Sequence, residues 1–302
     1  MIRLAASERP ATPSSPMPTM DSHRSGVQFP LAIELDELGA EHMRVLILGG
    51  TTEASELARL IAGDNLTGDR RFDATLSLAG RTINPKALPL PTRVGGFGGV
   101  DGLARWLIEE HIEAVIDATH PYAPNISRNA VAACRRAGVP LGSLGRPAWP
   151  NETGDRWIDV PDAIAAARAL GEATARIFLS LGRLEIAAFA SAPQHRYIAR
   201  SIDPPGDVPL PPDIRFIFAR GPFDEAAERA LLQSERIEVI VSKNSGGSAT
   251  YPKIAAARAL GIPVVMIERP LKAAGTAIAD ANAAIAWLEA LNHPSAPSRR
   301  GV

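Results

Sequence analysis

From Met43 onward, short apolar runs alternate with helical patterns. Strand-like runs fall at Val45–Leu48, Ala74–Leu78, Ala114–Ile116, Ile177–Leu181, Tyr197–Ser201, Ile214–Ala219, Val239–Ser242 and Val264–Ile267. Between them lie amphipathic stretches such as Glu53–Ala62, in which Ala54, Leu57, Ala58 and Ile61 recur at i, i+3, i+4 and i+7. Strands that are apolar throughout, separated by one-faced helices, predict an α/β protein whose parallel sheets are covered on both sides.

A weak internal repeat refines this. "AGVPLGSLGRP" (Ala137–Pro147) and "LGIPVVMIERP" (Leu260–Pro270) share a Gly-x-Pro, a short strand and a closing Arg-Pro at the same spacing. "IEAVIDATHP" pairs with "IEVIVSKNSG", "RVGGFGGVDGLARWL" with "ARGPFDEAAERALL", and "LILGGTTEASELA" with "LSLGRLEIAAFA". Similarity spread over whole strand–turn–helix units predicts two Rossmann-like parallel-sheet domains of similar wiring with a ligand cleft between them. Pro147, Pro150 and Gly154 punctuate the boundary. The expected division is an extension over 1–42, a first domain over 43–147, a second over 155–292 and a tail over 293–302. The extension is rich in Pro and Ser, without periodicity or a signal-peptide apolar core.

Composition excludes several classes. The 302 residues are 46% hydrophobic and 22% charged, with net charge −1. That balance gives no basic field for nucleic acid and no attraction to a membrane surface. No apolar run approaches the roughly 18 residues a spanning helix needs. The one cysteine, Cys134, sits in an alanine-rich helical run and reads as a buried inert thiol, which fits a reducing cytoplasm.

The chemistry gathers where strands end. In open α/β sheets, ligands bind beyond the carboxyl ends of the strands. At "VLILGGTTEASELARLIA" the first strand runs into Gly49 and Gly50, which let an anion approach the backbone closely. Thr51 and Thr52 supply a helix cap or hydroxyls, and Glu53 suits the helix dipole or reaches a ribose. The second strand ends in "SLAGRT", with Ser77 where an acid would hold a ribose diol and Arg81 placed for a 2′-phosphate. The third unit opens with Gly95, Gly96, Phe97 and Gly98; the fourth ends in "DATHPYA", which places Asp117, Thr119, His120 and Tyr122 on the same edge. A tight structural turn explains any one of these corners, but four together point to a dinucleotide.

The second half carries fewer glycines and more cations at the matching positions: Arg183, Arg220 and Lys243. Asn244, Ser245, Gly246 and Gly247 beside Lys243 read as an anion nest. The expectation is a dinucleotide on the first half and an anionic substrate on the second.

Taken together, "RVLILGGTTEA", "SLAGRT", "RVGGFGG", "VIDATHPYA", "ISRNA", "RPAW", "RGPF", "SKNSGG" and "LGIPVVMIERP" resemble the precorrin-6A reductase family of cobalamin biosynthesis, from about Met43 to Pro270. The resemblance implies NADPH as cofactor and reduction of one double bond of the precorrin-6A macrocycle to give precorrin-6B. It implies a polycarboxylate tetrapyrrole as substrate, neighbouring enzymes of that pathway as partners, and His120 and Tyr122 as candidate proton donors by position. Two departures are visible: Tyr122 stands where Phe is expected, and Tyr251-Pro252 precedes Lys253 where a plainer helix start is usual.

Other chemistries lack their residues. The six His show no H-x-x-x-H spacing, and with one Cys no C-x-x-C exists, so no metal site is expected. No G-x-S-x-G elbow stands out. Two rival readings stay open. One is a different NADP-dependent oxidoreductase acting on a small substrate, although no Y-x-x-x-K pair follows the first half. The other is a non-catalytic two-domain protein closing on an anion.

Overall fold

The computed structural model describes residues 42–68, 71–80 and 87–292. Arg81, the expected extension up to residue 41 and the expected tail over 293–302 lie outside the described residues. The residues from His42 onward belong to one compact unit.

Its strands are β1 (Met43–Leu48), β2 (Phe72–Leu78), β3 (Thr92–Val94), β4 (Ala114–Asp117), β5 (Leu141–Leu144) and β6 (Trp157–Val160). The second series is β7 (Arg176–Ser180), β8 (Arg196–Ser201), β9 (Ile214–Phe218), β10 (Val239–Lys243), β11 (Val264–Ile267) and β12 (Thr276–Ile278). Helices α1 (Thr52–Leu66), α2 (Gly99–Glu109), α3 (Pro124–Ala137) and α4 (Ala163–Ala169) alternate with them. They are followed by α5 (Arg183–Ile186), α6 (Glu225–Ser234), α7 (Pro252–Leu260) and α8 (Ala281–Asn292).

Two six-stranded sheets result, ordered β12-β5-β4-β1-β2-β3 and β6-β11-β10-β7-β8-β9. Every neighbouring pair is parallel. The expected α/β class with two sheets of similar wiring is therefore what the chain adopts. Burial explains the uniform strands: β4 and β11 are buried at every residue, because helices cover both faces.

The repeat has a structural cause. Gly138 ends α3 and Gly261 ends α7, both left-handed with φ of 70° and 64°. Two residues on, the Pro140 carbonyl accepts from Val115 and the Pro263 carbonyl from Ile240, each at 3.0 Å, which starts the next strand pair in register. The same cap and the same strand entry serve both halves.

The expected second domain over 155–292 is not one block. β6 follows β5 in sequence but pairs with β11 of the second sheet; β12 follows β11 but pairs with β5 of the first. The halves thus exchange their sixth strand and the helix after it. α8 carries Ala281, Ala284 and Leu288 into the same core as Leu57 and Ile61 of α1. At the return, Gly275 donates to Ser143 Oγ at 2.8 Å, and a Cβ there would meet the Leu141 carbonyl at 2.0 Å. Hydrophobic burial drives the exchange, since β5 and α1 would otherwise leave an apolar face in water.

Candidate active site at the strand ends

The glycine corner of the first sheet divides two tasks between two residues. Gly49 has no room for a side chain, because a Cβ would lie 2.6 Å from Leu76 Cδ1. Gly50 sits at φ +112° with nothing within 4 Å of where a Cβ would point, so its backbone faces open space. Thr51 Oγ1 accepts from Ala54 N at 3.2 Å, capping α1, and donates to the Ala118 carbonyl at 2.7 Å, tying this corner to the end of β4. Thr52 is exposed in the first turn of α1. The Glu53 carboxylate meets Arg146 at 2.6 Å rather than standing open for a ribose.

At the β2–β3 edge, Ser77 is buried and accepts from Arg93 at 2.9 Å. Gly95 and Gly98 adopt φ of 120° and 81°, and a Cβ at Gly95, Gly96 or Gly98 would meet nothing within 4 Å. Phe97 lies under the Arg93 guanidinium, 3.7 Å from its ring centre. Thr119 is turned inward: its hydroxyl donates to Asp117 at 2.6 Å and its N–H at 3.0 Å.

Cations from both halves converge beside this corner. Arg146, after β5, donates to the Ser245 carbonyl at 2.8 Å as well as pairing with Glu53. Arg269, at the equivalent point after β11, reaches the carbonyls of Asn244, Arg146 and Pro147 at 2.7, 2.8 and 3.0 Å. Lys272 Nζ stands 3.4 Å from Asp117 and 3.1 Å from the Thr119 carbonyl. Thr51, Glu53, Thr119, Arg146, Arg269 and Lys272 line a pocket of about 140 Å³ between them.

His120 and Tyr122 differ in protonation, the one neutral and the other a protonated phenol near pH 7. Burial, followed by the charges of Lys243, Arg146, Arg269 and Lys272, lowers the His120 pKa to about 3, so the imidazole is neutral near pH 7. Its Nδ1 accepts from Tyr122 N at 3.2 Å. The Tyr122 hydroxyl donates to the Ile267 carbonyl across the seam, and burial pushes the phenol up to about 12.

The residues expected to grip substrate in the second half divide. Lys243 Nζ pairs with Glu185 at 2.8 Å and lies 5.1 Å over the Tyr122 ring, facing the seam. Arg183 opens α5 with no hydrogen-bond or ion-pair partner among the described residues, and Arg220 is exposed after β9. The turn at 244–247 is a socket for the linker. The Asn244 side chain accepts from Trp149 N at 2.8 Å and donates to Trp149 O at 3.0 Å. The Trp149 indole donates to the Gly247 carbonyl at 2.8 Å, and the Ser245 carbonyl receives Arg146. A Cβ at Gly246 would sit 2.1 Å from the Pro147 carbonyl, and one at Gly247 2.9 Å from Arg146. The Asn244 side chain and the Ser245 and Gly247 carbonyls are thus occupied within the chain.

Sequence reading passed over Arg93, Arg146, Arg269 and Lys272. Arg146 and Arg269 had a signal, the closing Arg-Pro of the repeat, but it read as punctuation. Lys272 and Arg93 had none. Cys134 is buried, and burial raises its thiol to about 12, so it is inert. Among the described residues no group of three or more His, Cys, Asp or Glu is placed to hold a metal, and no helix is long and apolar enough to cross a membrane.

Comparison with known proteins adds four findings. A family model described as "Precorrin-6x reductase CbiJ/CobK" matches residues 44–289. A precorrin-6A reductase from a Sinorhizobium species is 53% identical over 234 residues, 78% of this chain and 88% of its own. A cobalt-precorrin-6A reductase from Salmonella typhimurium is 29% identical over 248 residues, 75% of this chain and 87% of its own. Among solved structures, CobK precorrin-6A reductase superposes with TM-score 0.76 at 48% identity, covering 86% of this chain and all of its own.

Proposed function

We propose a function from one premise: the chain belongs to the precorrin-6x reductase family, whose model spans most of its described residues. It reduces a double bond of the precorrin-6A macrocycle with NADPH, giving precorrin-6B. The metal-free macrocycle is the substrate, since the relative at 53% identity bears that name and the one named for the cobalt form is far more distant at 29%.

The observation that carries this reading is the pocket at the strand ends of the first sheet, where Thr51 and Thr119 face Arg146, Arg269 and Lys272 from the two crossovers. Next to Thr51 the backbone of Gly50 is open, and so is that of Gly95, Gly96 and Gly98 at the β2–β3 edge. The first sheet reverses strand order between β4 and β1, the crevice where dinucleotides lie. The open glycines fit such a cofactor, which supplies a hydride when bound. The Gly49–Thr51 corner then takes its pyrophosphate, and the β2–β3 edge its adenosine ribose.

The substrate's carboxylates suit the cation cluster. Lys243, Lys272, Arg183 and Arg220 face them from the second half and its crossover, while Arg146 and Arg269 also hold the linker in place. His120, a neutral imidazole, and Tyr122, a protonated phenol, are the candidate proton donors by position, with solvent as the alternative.

The test is anaerobic incubation with precorrin-6A and NADPH, following loss of NADPH absorbance and the mass gain of the macrocycle. Stoichiometric oxidation with a gain of two hydrogens is expected. Absence of oxidation with both the metal-free and the cobalt macrocycle contradicts the proposal.

A further inference from the structure

Arg93 is held unusually firmly for a residue on a three-residue edge strand. It lies directly across from Ser77 in the parallel β2–β3 register. Its guanidinium donates to Ser77 Oγ at 2.9 Å, to the Gly95 carbonyl at 3.0 Å and to the Gly96 carbonyl at 3.1 Å. It stacks 3.7 Å over Phe97, which is itself braced edge-on by Trp106 at 5.4 Å. Among the described residues three of its five N–H groups are thus engaged and two remain, and all three acceptors are neutral.

No carboxylate lies within ion-pair distance of Arg93 among the described residues. Other anchored arginines do meet one: Arg200 pairs with Glu228 at 2.7 Å and Arg258 with Asp155 at 2.9 Å. Partial desolvation lowers the Arg93 pKa, a cost that a fixed counter-anion would offset. The place matters as much as the charge. The Ser77 carbonyl accepts from Gly49 N at 2.9 Å, so this edge adjoins the glycine corner. The end of the second strand is where a dinucleotide fold meets the adenosine ribose, and Ser77 supplies no negative charge to repel a phosphate there.

We propose that Arg93 is the residue that reads the 2′-phosphate of NADPH, a role sequence reasoning gave to Arg81. This rests on the cofactor reading above. Phe97 and the two glycine carbonyls hold the guanidinium's orientation before the ligand arrives, so its free N–H groups meet the phosphate as a preset fork.

Fluorescence titration of the full chain with NADPH, NADH, 2′,5′-ADP and 5′-ADP tests it. The wild type is expected to favour both 2′-phosphorylated ligands. Arg93→Ala should weaken them about tenfold or more, the effect of one lost charged contact, and leave NADH and 5′-ADP within about threefold. Arg93→Lys keeps the charge without the fork and should fall between; it carries the test should Arg93→Ala fail to fold. Equal weakening of all four ligands by Arg93→Lys would make Arg93 a brace for the glycine loop and overturn the proposal. So would an unchanged preference in both variants, or loss of preference in Arg81→Ala alone. A wild type that binds neither dinucleotide would instead sink the cofactor reading, and Arg93 with it.

Discussion

Two sheets with the same strand order end in different chemistry. After β1 comes a fifteen-residue helix capped by Thr51; after β7 comes the four-residue α5 and then a 3-10 turn over Ala187–Ser191. A long helix aims a sustained dipole and unpaired N–H groups at its strand end, and a single turn cannot. After β3 the chain offers bare glycine backbone at 95–98, but after β9 it offers exposed Arg220. After β4 stands the inward Asp117–Thr119 pair, and after β10 stands Lys243. The proposed function has the first half recognise through backbone and the second through side-chain charge. Wiring is shared, and function resides in what each loop presents.

The hardest blow to this contrast is a side chain at Gly50. Gly50→Val forces a β-branched residue to φ +112° and fills the open space before the backbone. NADPH affinity should fall more than about a hundredfold, or roughly 2.7 kcal/mol. The fold should survive, because strain of about 1–3 kcal/mol is within ordinary stability. Circular dichroism with a cofactor titration checks both; normal binding would remove the dinucleotide from this corner.

Lys243→Ala strikes the other half. The macrocycle KM should rise about tenfold, while the NADPH Kd stays within about twofold. Part of the effect comes through Glu185, which loses its 2.8 Å ion pair with Lys243. Steady-state kinetics beside cofactor titration separate the two halves: cofactor affinity lost with KM unchanged reverses the assignment.

Acid should act on the seam through His120. Its folded pKa of about 3 lies below the unfolded value of 6.5. Between those values the unfolded chain holds a proton that the folded chain lacks. Stability therefore falls as pH drops from 6.5 toward 3, by up to about 1.4 kcal/mol per unit for this one group. His120→Asn should flatten that slope in denaturant titrations across the window, and an unchanged slope would mean that neither burial nor the surrounding cations depress its pKa.

The mildest change is Tyr122→Phe. It removes a hydroxyl that donates to the Ile267 carbonyl and should cost about 1 kcal/mol of stability with kcat within about threefold. A hundredfold loss of kcat would mark Tyr122 as the proton donor.

Much of this was legible in the chain because the physics involved is local. Buried parallel strands must be apolar on both faces, and positive φ admits glycine readily and other residues poorly, so β1, β4, β11 and the Gly50 and Gly95–Gly98 corners declare themselves. The exchange of sixth strands did not, because a strand's pattern records that both faces are covered and not which neighbour it pairs with. β3 and β12 are three residues each and largely exposed, too short to show periodicity. A signal nonetheless existed. "WIDVPDAIAAARAL" parallels "TAIADANAAIAWLEAL", and Asp162 and Asp280 cap their helices alike, accepting at 2.8 Å from Ala165 N and Ala283 N. The cation cluster was hidden for a different reason. Arg146 meets Ser245 ninety-nine residues away, and Lys272 meets Asp117 across 155, contacts that only the crossovers create. The linker contacts of the turn at 244–247 were hidden because an anion nest and a socket for a linker ask for the same Asn and glycines.

The central claim, a dinucleotide on the first sheet and substrate charge on the second, is most directly tested by hydrogen–deuterium exchange with and without NADPH, in the absence of macrocycle. The account predicts new protection at 49–53, 77–80 and 95–99, with 181–185 and 219–223 unchanged. Protection confined to 181–185 and 219–223, or shared equally between the two sheets, would contradict it.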